Sequence, residues 1–598
     1  MTHTPVALPG PRRVPVFLPE TLPEVDPELL PDRGGSGDSG GWGGRPLGRV
    51  ATGLVLALAT WGCGGEAEPD AAMRGERPSL APATPPAPLE TPAPWRGLLP
   101  ADAFAYVQME SLDAFVAATD RVAGPALGPA PGSSEWFASL TPVSFDASLV
   151  ARDRPLAAAF RFVGGEPRPT FVLPATDAEA LAASVRGGSA IVQGDVVGLS
   201  AEADYQEGAP AALTVEPLPG GALAARIDLE AVVSQYRMFI EMGMAAAKMQ
   251  VVQQMEAAPV GVDAGGMFDA YAGMLRTMLD EVRGLDVAWS SDGDALRVSG
   301  ALEVRADGPL AGFPKPPPAD LAALASVLDA RSDYLMVARG DLEQITLRGR
   351  DAMGTLMGSL LGGEAGSSWD EMITEWSVVY RLCDGALAGD GTFDGAGQLQ
   401  MRYLAASSQA PMLRDAYLAV LQGLDMGPLG VVLGEAEERT VDGVAVTHVP
   451  YEMDPAALFG SEDPEFRAEM ERVMSTTYGE DLGYDVFESA GRVALVQGSD
   501  SEDLVRSTLA SLGEGGRSVP PSLAPWLPRL EATDAGVVLT MDLGAVMNAA
   551  LTGAQGLPPG QQPPEGPLEM AVFVGVEGAR WGFDLAVDSA QLSALTAR

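Results

Sequence analysis

The chain has 598 residues and a formal net charge of −43, from 81 acidic side chains against 38 basic ones. Because binding to nucleic acid depends on a basic surface that neutralises phosphates, this charge excludes nucleic acid as a partner. With two histidines and two cysteines, the chain cannot build zinc sites from several His or Cys ligands, and we expect no cofactor and no metal site.

Residues 1–49 are rich in proline, glycine and acidic side chains. A secretory signal normally begins with a short basic region, which this segment does not provide. We expect residues 1–49 to be disordered or to result from a wrongly assigned start, with the true start near Leu47, and we exclude them from the fold prediction.

An apolar stretch, VATGLVLALATWGCGG, follows Arg45 and Arg49 and occupies Val50–Gly65. Its apolar part is about twelve residues long, which suits a signal core and is shorter than the roughly 20 residues that span a bilayer. Over residues 45–65 it resembles a bacterial lipoprotein signal, with Thr60 and Trp61 departing from the usual residues. The resemblance implies that 50–63 is the signal and that Cys63 is lipidated and becomes the mature N-terminus.

The same resemblance implies a location in the cell envelope, in the outer membrane rather than the inner one, because Gly64 and not Asp follows the cysteine. The implied partners are the membrane, through the N-terminal lipid, and an envelope protein. Residues 64–97 are rich in Ala, Pro and Glu and predict a flexible tether. With Cys63 lipidated, Cys383 would have no partner for an intrachain disulfide.

Four stretches of the remaining chain share one pattern, in which an apolar strand ends at a short oxygen-bearing side chain followed by Leu and helical spacing. The oxygen of such a side chain accepts an unpaired backbone N–H at the start of a helix. The predicted strands and caps are Ala103–Met109 with Ser111, Ala222–Ile227 with Asp228, Tyr334–Val337 with Asp341, and Gly536–Met541 with Asp542.

Two further patterns recur. Thr176–Leu181 and Ser499–Leu504 have the form of a capping box, with a hydroxyl at the cap and Glu three residues later. Apolar runs flanking Asp292-Gly293 and Glu577-Gly578 predict β-hairpins, and Val378–Leu382 with Leu399–Tyr403 predicts a third.

The order of these patterns predicts an α+β fold of antiparallel hairpins and strand–cap–helix units, arranged as two tandem related lobes. We place the first lobe at 98–313 and the second at 320–598, with an insertion at about 405–490. Phe313–Pro318, FPKPPP, is a stiff linker between them.

Two methionine-rich helices are predicted at Leu229–Ala257 and Gly265–Arg283. Because methionine adapts to varied apolar shapes, Met238, Met242, Met267, Met274 and Met278 are candidate residues for binding an apolar ligand. The alternative interpretation, which amphipathic spacing favours, is that they belong to the ordinary core.

No catalytic residue can be assigned. His448 has no partner motif and is interpreted as structural, and Cys383 as a packed cysteine within a strand. The acidic clusters Glu435–Glu438 and Glu462–Glu465 are not in a calcium-loop pattern, and no phosphate-binding glycine motif or nucleophile elbow is present. The sequence therefore favours a lipid-anchored envelope protein with a non-enzymatic structural or protein-interaction role. A carrier of an apolar ligand and a carboxylate-based hydrolase stay open as alternatives.

Overall fold

The computed structural model describes these parts of the chain: 80, 89–90, 92, 95, 97–118, 141, 143–202, 218, 220–255, 264–292, 295–350, 363–393, 398–423, 431–454, 468, 472, 482–498, 501–513, 517–546 and 568–588. Cys63 and the predicted signal lie outside these residues. None of the helices in the described ranges is long and apolar enough to cross a membrane.

Nineteen strands are formed by the described residues: β1 Ala105–Met109, β2 Leu156–Val163, β3 Glu166–Pro174, β4 Ser189–Gln193, β5 Val196–Ser200, β6 Leu223–Asp228, β7 Val282–Asp292, β8 Ala295–Val304, β9 Tyr334–Arg339, β10 Ala386–Phe393, β11 Leu399–Ala406, β12 Val431–Leu433, β13 Glu437–Val441, β14 Val444–Met453, β15 Gly483–Ser489, β16 Arg492–Gln497, β17 Ala535–Asp542, β18 Glu569–Glu577 and β19 Arg580–Asp588.

The helices with defined ends in the described residues are α1 Ala178–Ser184, α2 Leu229–Met255, α3 Ala264–Glu281, α4 Leu321–Ala325, α5 Gly363–Arg381, α6 Ala410–Gly423, α7 Ser501–Gly513 and α8 Leu527–Glu531. Further helical turns lie at 112–118, 342–350 and 543–546, and a short 3-10 helix at Ala147–Leu149.

The strands pair antiparallel throughout and form one continuous sheet, in the order β4-β5-β3-β2-β1-β6-β7-β8-β19-β18-β17-β9-β10-β11-β16-β15-β14, with β12 and β13 both paired to β14. Helices connect many of these strands. This confirms the predicted α+β class and its antiparallel hairpins, including the hairpins β7–β8 and β18–β19.

The four predicted strand–cap–helix units are confirmed by their hydrogen bonds. The cap oxygens accept backbone N–H groups three residues later, at 2.9–3.1 Å: Ser111 from Ala114, Asp228 from Ala231, Asp341 from Gln344 and Asp542 from Ala545. The capping box at Thr176 was placed one residue too early, since Asp177 is the cap of α1 and accepts from Ala180 at 3.0 Å. Residues 499–500 of the other capping box lie outside the described residues.

The two halves of the sheet repeat one pairing scheme. In the first half β1 pairs with β2 and β6, β3 with β2 and β5, β4 with β5, and β7 with β6 and β8. In the second half β9 pairs with β10 and β17, β11 with β10 and β16, β15 with β16, and β18 with β17 and β19. This repetition is what a duplicated unit would produce, and the duplication itself stays a prediction.

The halves meet where the last strand of each, β8 and β19, pair with one another. Ser299 lies opposite Asp584, 285 positions further along the chain, and the first residues of β8 and β19, Ala295 and Arg580, are also 285 positions apart. This register is what a two-fold relation between duplicated halves would produce, and that relation stays a prediction.

The repeated pairing scheme shows that the helices of the two capping boxes are not equivalent. Helix α1 follows β3, whereas α7 follows β16, the strand that takes the place of β5 in the second half. The helix equivalent to α1 is α6, since α1 follows β3 and α6 follows β11. Strands β12–β14 have no counterpart in the first half, and they lie inside the range predicted for an insertion. The connection between β6 and β7 holds α2 and α3, whereas residues 543–568 connect β17 and β18.

The core lies on both faces of the sheet because side chains alternate along each strand. Along β2, Leu156 and Ala158 pack in a cluster with Leu112 and Leu181, whereas Ala157 and Ala159 pack in another with Trp95, Leu98 and Tyr106. The largest cluster, in the second half, contains Trp526, Phe487 and Phe573.

Part of the predicted tether contacts this core. Leu80 packs against the large cluster and its carbonyl accepts the indole N–H of Trp526 at 3.0 Å, Leu89 bridges to Leu218, and Trp95 is buried. The folded body therefore begins before Leu98, and the part of the tether that lies beyond these contacts is 64–79.

The junction between the halves is fixed by side-chain donors. Arg348 donates to the carbonyls of Pro309, Ala311 and Gly312 at 2.8–3.2 Å and lies over the ring of Phe313 at 4.4 Å. Trp581 donates to the carbonyl of Leu310 at 2.7 Å. These bonds hold the segment before the proline-rich linker against β19.

One predicted hairpin is wrong. Val378–Leu382 is not a strand but the end of α5 and the residue after it, and the partner of β11 is β10. Val379 is fully buried on the inner side of this amphipathic helix, whereas its neighbour Val378 is exposed.

Candidate functional site

The helical hairpin formed by α2 and α3 is rooted on the first half of the sheet. The carboxylate of Asp228 caps α2 directly at the end of β6. Phe162 of β2 stacks on Phe104 at a centroid distance of 4.1 Å and meets Tyr236 of α2 edge-on at 5.6 Å. These contacts join the first two turns of α2 to the sheet.

Beyond this root, α2 is exposed on most of its circumference. Its exposed positions from 238 to 250 include consecutive residues, which in a helix point in different directions. These positions are Met238, Phe239, Met242, Gly243, Ala245, Ala246, Ala247, Met249 and Gln250. Only one of the nine carries a polar side chain, so this part of α2 presents an apolar surface to its surroundings.

Six charged residues of the hairpin form ion pairs across the two helices, and their side chains stay partly exposed. Arg237 pairs with Asp280, Lys248 with Asp269, and Arg276 with Glu241, the last at 2.8 Å. The hydrogen bond from Arg276 lowers the pKa of Glu241, and Glu241 in turn raises the pKa of Arg276. The pairs hold α2 and α3 side by side around the buried Met244 and Ala272.

The five methionines predicted from the sequence differ in how exposed they are. The exposed fractions of Met238, Met242 and Met278 are 64%, 53% and 42%, Met274 is half-buried, and the side chain of Met267 lies outside the described residues. For the first three, the interpretation as ordinary core is wrong, because from its third turn α2 contacts α3 and leaves the sheet.

A carrier would need an apolar cavity at these helices, and the structure gives little support to one. The cavity described between α2 and α3 has about 40 Å³ and is lined by Arg237, Glu241, Arg276 and Asp280 together with three aliphatic side chains. Its volume is close to that of one or two waters.

A larger cleft, of about 410 Å³, lies in the second half between β10, β11 and α7. At its floor Asp390 and Arg402, paired across neighbouring strands, are both buried and bonded to each other, and Asp390 also accepts from Ser332 and from the backbone of Asp329. Burial opposes the charge of Arg402, but the contact with Asp390 raises its pKa. This pair links the two strands at the floor of the cleft.

His448 has a partner that the sequence did not indicate. Its Nδ1 lies 3.0 Å from the fully buried Asp485, the residue opposite it in β15, and Asp485 also accepts from Arg439 at 2.5 Å. An aspartate that orients a histidine is half of a nucleophile-activating arrangement. Among the described residues, however, no hydroxyl or thiol is bonded to His448, which favours the structural interpretation.

Two other predicted features have plain outcomes. Cys383 lies in the turn after α5, not within a strand, and desolvation raises its pKa to about 12, which suppresses thiolate reactivity. The described part of the chain holds no cluster of His, Cys, Asp or Glu suited to a metal ion; Glu462–Glu465 lie outside it.

The ionic pairs of this molecule were missed by sequence reasoning because they depend on strand register. Asp390–Arg402, Asp485–His448 and Arg226–Asp286 all join residues directly opposite in neighbouring strands. A charged residue at a buried-face position of an apolar strand, as Asp485 in GYDVFES, was the available signal.

No known protein family matches this chain, and no curated protein sequence matches it either. Among solved structures, crystal form III of TP0453 is similar at 12% identity, with 47% of this chain and 99% of that chain covered and a TM-score of 0.24. Crystal forms IV and I of TP0453 are similar at 14% and 13% identity. Each of these comparisons covers 47% of this chain and 98% of the TP0453 chain, with a TM-score of 0.23. Likeness at this level carries no argument about function.

Proposed function

We propose that this chain is a lipid-anchored protein of the bacterial cell envelope with a non-enzymatic interaction role, in which Cys63 carries the lipid and the α2–α3 hairpin is the contact surface. The observation that carries the proposal is the exposed apolar surface of α2. Soluble proteins rarely leave large contiguous apolar surfaces uncovered unless something binds there.

The anchoring half of the proposal rests on the sequence. In the signal-like segment 45–65, Cys63 follows a small residue, and residues 64–79 separate it from Leu80, the first described residue that contacts the body. Gly64 after the cysteine favours the outer membrane over the inner one.

Two features favour the interaction role over a carrier or a carboxylate hydrolase: the exposed methionines of the hairpin and the pKa values of the carboxyls. A carrier would enclose its ligand, whereas Met238, Met242 and Met278 face outward. A carboxylate hydrolase needs an acid with a raised pKa, whereas the described carboxyls with a clearly shifted pKa, Asp146, Asp195, Glu241 and Asp329, all have it lowered.

The mass of the mature protein, purified in detergent from the membranes of the producing bacterium, tests the anchor. The expected N-terminal fragment begins at Cys63 and carries acyl chains, and the Cys63→Ser variant keeps an uncleaved signal and loses the acyl mass. A mature chain that retains residues 1–62 and is recovered in the aqueous fraction would contradict the proposal.

A further inference from the structure

The α2–α3 hairpin exposes large apolar side chains next to ion pairs that are themselves partly exposed. A water-exposed helical pair buries apolar residues between the helices and turns charges outward. Here the six charged residues that lie within 231–255 and 264–280, three of each sign, are all engaged in the three pairs between α2 and α3. From 238 to 250, Gln250 is the one exposed residue of α2 that carries a polar side chain.

The directions in which the apolar residues point indicate what covers them. Met238, Met242 and Met249 follow one stripe of α2 at helical spacing, Phe239 lies about 100° further round, and Tyr271 and Met278 are exposed on α3. A folded partner with one groove would cover one side of such a pair. Apolar residues exposed on several sides fit a medium that surrounds the hairpin.

The charge of the hairpin is compatible with a lipid surface, although the charge of the chain is not. At −43 the chain as a whole is repelled by anionic membranes. The six charges within 231–255 and 264–280 sum to zero, and each has its counterion on the other helix. At the base of the hairpin, Glu230 pairs with Arg283 at 3.4 Å and Glu281 with Arg305 at 3.9 Å, so each described charge of this element has a counterion.

The proposed tether is longer, when extended, than the hairpin. Sixteen residues, 64–79, separate Cys63 from Leu80 and span about 55 Å when extended. The 27 residues of α2 extend about 40 Å. A body tethered at this distance can turn the hairpin toward the bilayer that carries the lipid.

We infer that the α2–α3 hairpin is a second membrane contact, which inserts its methionine and phenylalanine side chains among the acyl chains of a lipid surface. This inference rests on the proposed envelope location and deepens it, because the partner of the hairpin is then lipid and not a protein groove.

The test uses residues 63–598 with Cys63→Ser, so that neither an acyl chain nor the apolar segment 50–62 contributes, and flotation with vesicles of phosphatidylethanolamine and phosphatidylglycerol. We expect the protein to float with the vesicles and to stay bound when NaCl is raised from 0.1 to 0.5 M, since apolar contacts are not screened. Replacing Met238, Met242 and Met249 together by Gln should lower the partition coefficient at least about tenfold, because each buried methionine contributes to transfer.

The matched control is Met412→Gln, which changes a methionine of α6 that is 56% exposed and lies outside the hairpin. It should leave the partition coefficient unchanged. Since all four methionines are exposed, circular dichroism and thermal unfolding of the variants should match the parent, which separates loss of binding from loss of fold.

Three results would overturn the inference: no flotation of the parent, release by salt, or equal effects of the hairpin and Met412 variants. Absence of flotation together with dimers captured through Met242→Cys would assign the surface to a second copy of the chain. Acylation at Cys63 is measured separately by mass on the unaltered protein, so a failed anchor and a failed hairpin contact are told apart.

Discussion

The two halves of the sheet share a strand scheme but differ in what they add to it. The first half fills the connection between β6 and β7 with the α2–α3 hairpin, and the second half adds β12–β14 beside β15. The hairpin exposes methionines and Phe239, whereas β13 presents Glu437, Glu438, Arg439 and Thr440.

The two additions differ in how their exposed surfaces are suited to water. Charged side chains on an outer strand prevent further strand pairing, so the addition in the second half is complete in water. Among the described residues of the second half, the large exposed apolar ones, Val378, Met412 and Val432, lie on separate elements, as is usual for soluble proteins. Within the described ranges, the addition in the first half is the one that presents an extended apolar surface.

The largest effect on stability is expected from the buried pair of the second half. Asp390→Asn leaves the guanidinium of Arg402 buried without its counterion and should lower the free energy of unfolding by about 3–5 kcal/mol. Urea denaturation followed by far-UV circular dichroism measures this loss.

The comparison is the first half, where Asp286 is held by Arg226 and also by Arg580 at 3.3 Å. Arg580 is more than half exposed, so Arg580→Gln should cost less than about 1 kcal/mol. Equal losses of unfolding free energy for Asp390→Asn and Arg580→Gln would contradict this explanation, in which the cost depends on burial of the pair and on whether the aspartate has a second arginine.

A smaller loss is expected at the junction of the halves. Arg348→Met removes the donors to three carbonyls and the cation above Phe313, and should lower the free energy of unfolding by about 2 kcal/mol. Arg348→Lys keeps the charge but loses the planar fork, and should recover less than half of this in thermal or urea denaturation. Full recovery by lysine would show that charge alone matters there.

The helix caps should respond alike in the two halves. Asp228→Ala and Asp542→Ala each remove the acceptor for a backbone N–H three residues later, at about 1 kcal/mol per cap in urea denaturation. Asn at either position retains an acceptor and should restore most of the loss. A cost confined to one half would argue against equivalence of the two strand–cap–helix units.

The smallest effect concerns Cys383. Because burial raises the pKa of its thiol to about 12 from a usual value near 9, native protein with Cys63→Ser should react with a thiol reagent at pH 8 far more slowly than unfolded protein. Stability from the buried thiol is fully present below about pH 9 and is lost as pH rises toward 12, since the unfolded thiol ionises first. Rapid labelling of native protein at pH 8 would contradict this.

The sequence predicted local structure well and surface exposure poorly. The caps at Ser111, Asp228, Asp341 and Asp542 were found because capping depends on neighbouring residues. The exposure of Met238 and Met242 was not found, because a methionine stripe has the same spacing in a buried helix and in a projecting one. The partner of His448 was not found because it depends on the register of β14 against β15.

The most direct test of the account compares its two additions at single residues. Met242→Cys on the hairpin and Glu437→Cys on β13, each in residues 63–598 with Cys63→Ser, are labelled with an environment-sensitive NBD fluorophore and mixed with vesicles. The account predicts a blue shift and increased emission at 242, quenched by lipids labelled in their acyl chains, and no change at 437. No change at 242, or equal changes at both positions, would contradict a lipid contact through the hairpin.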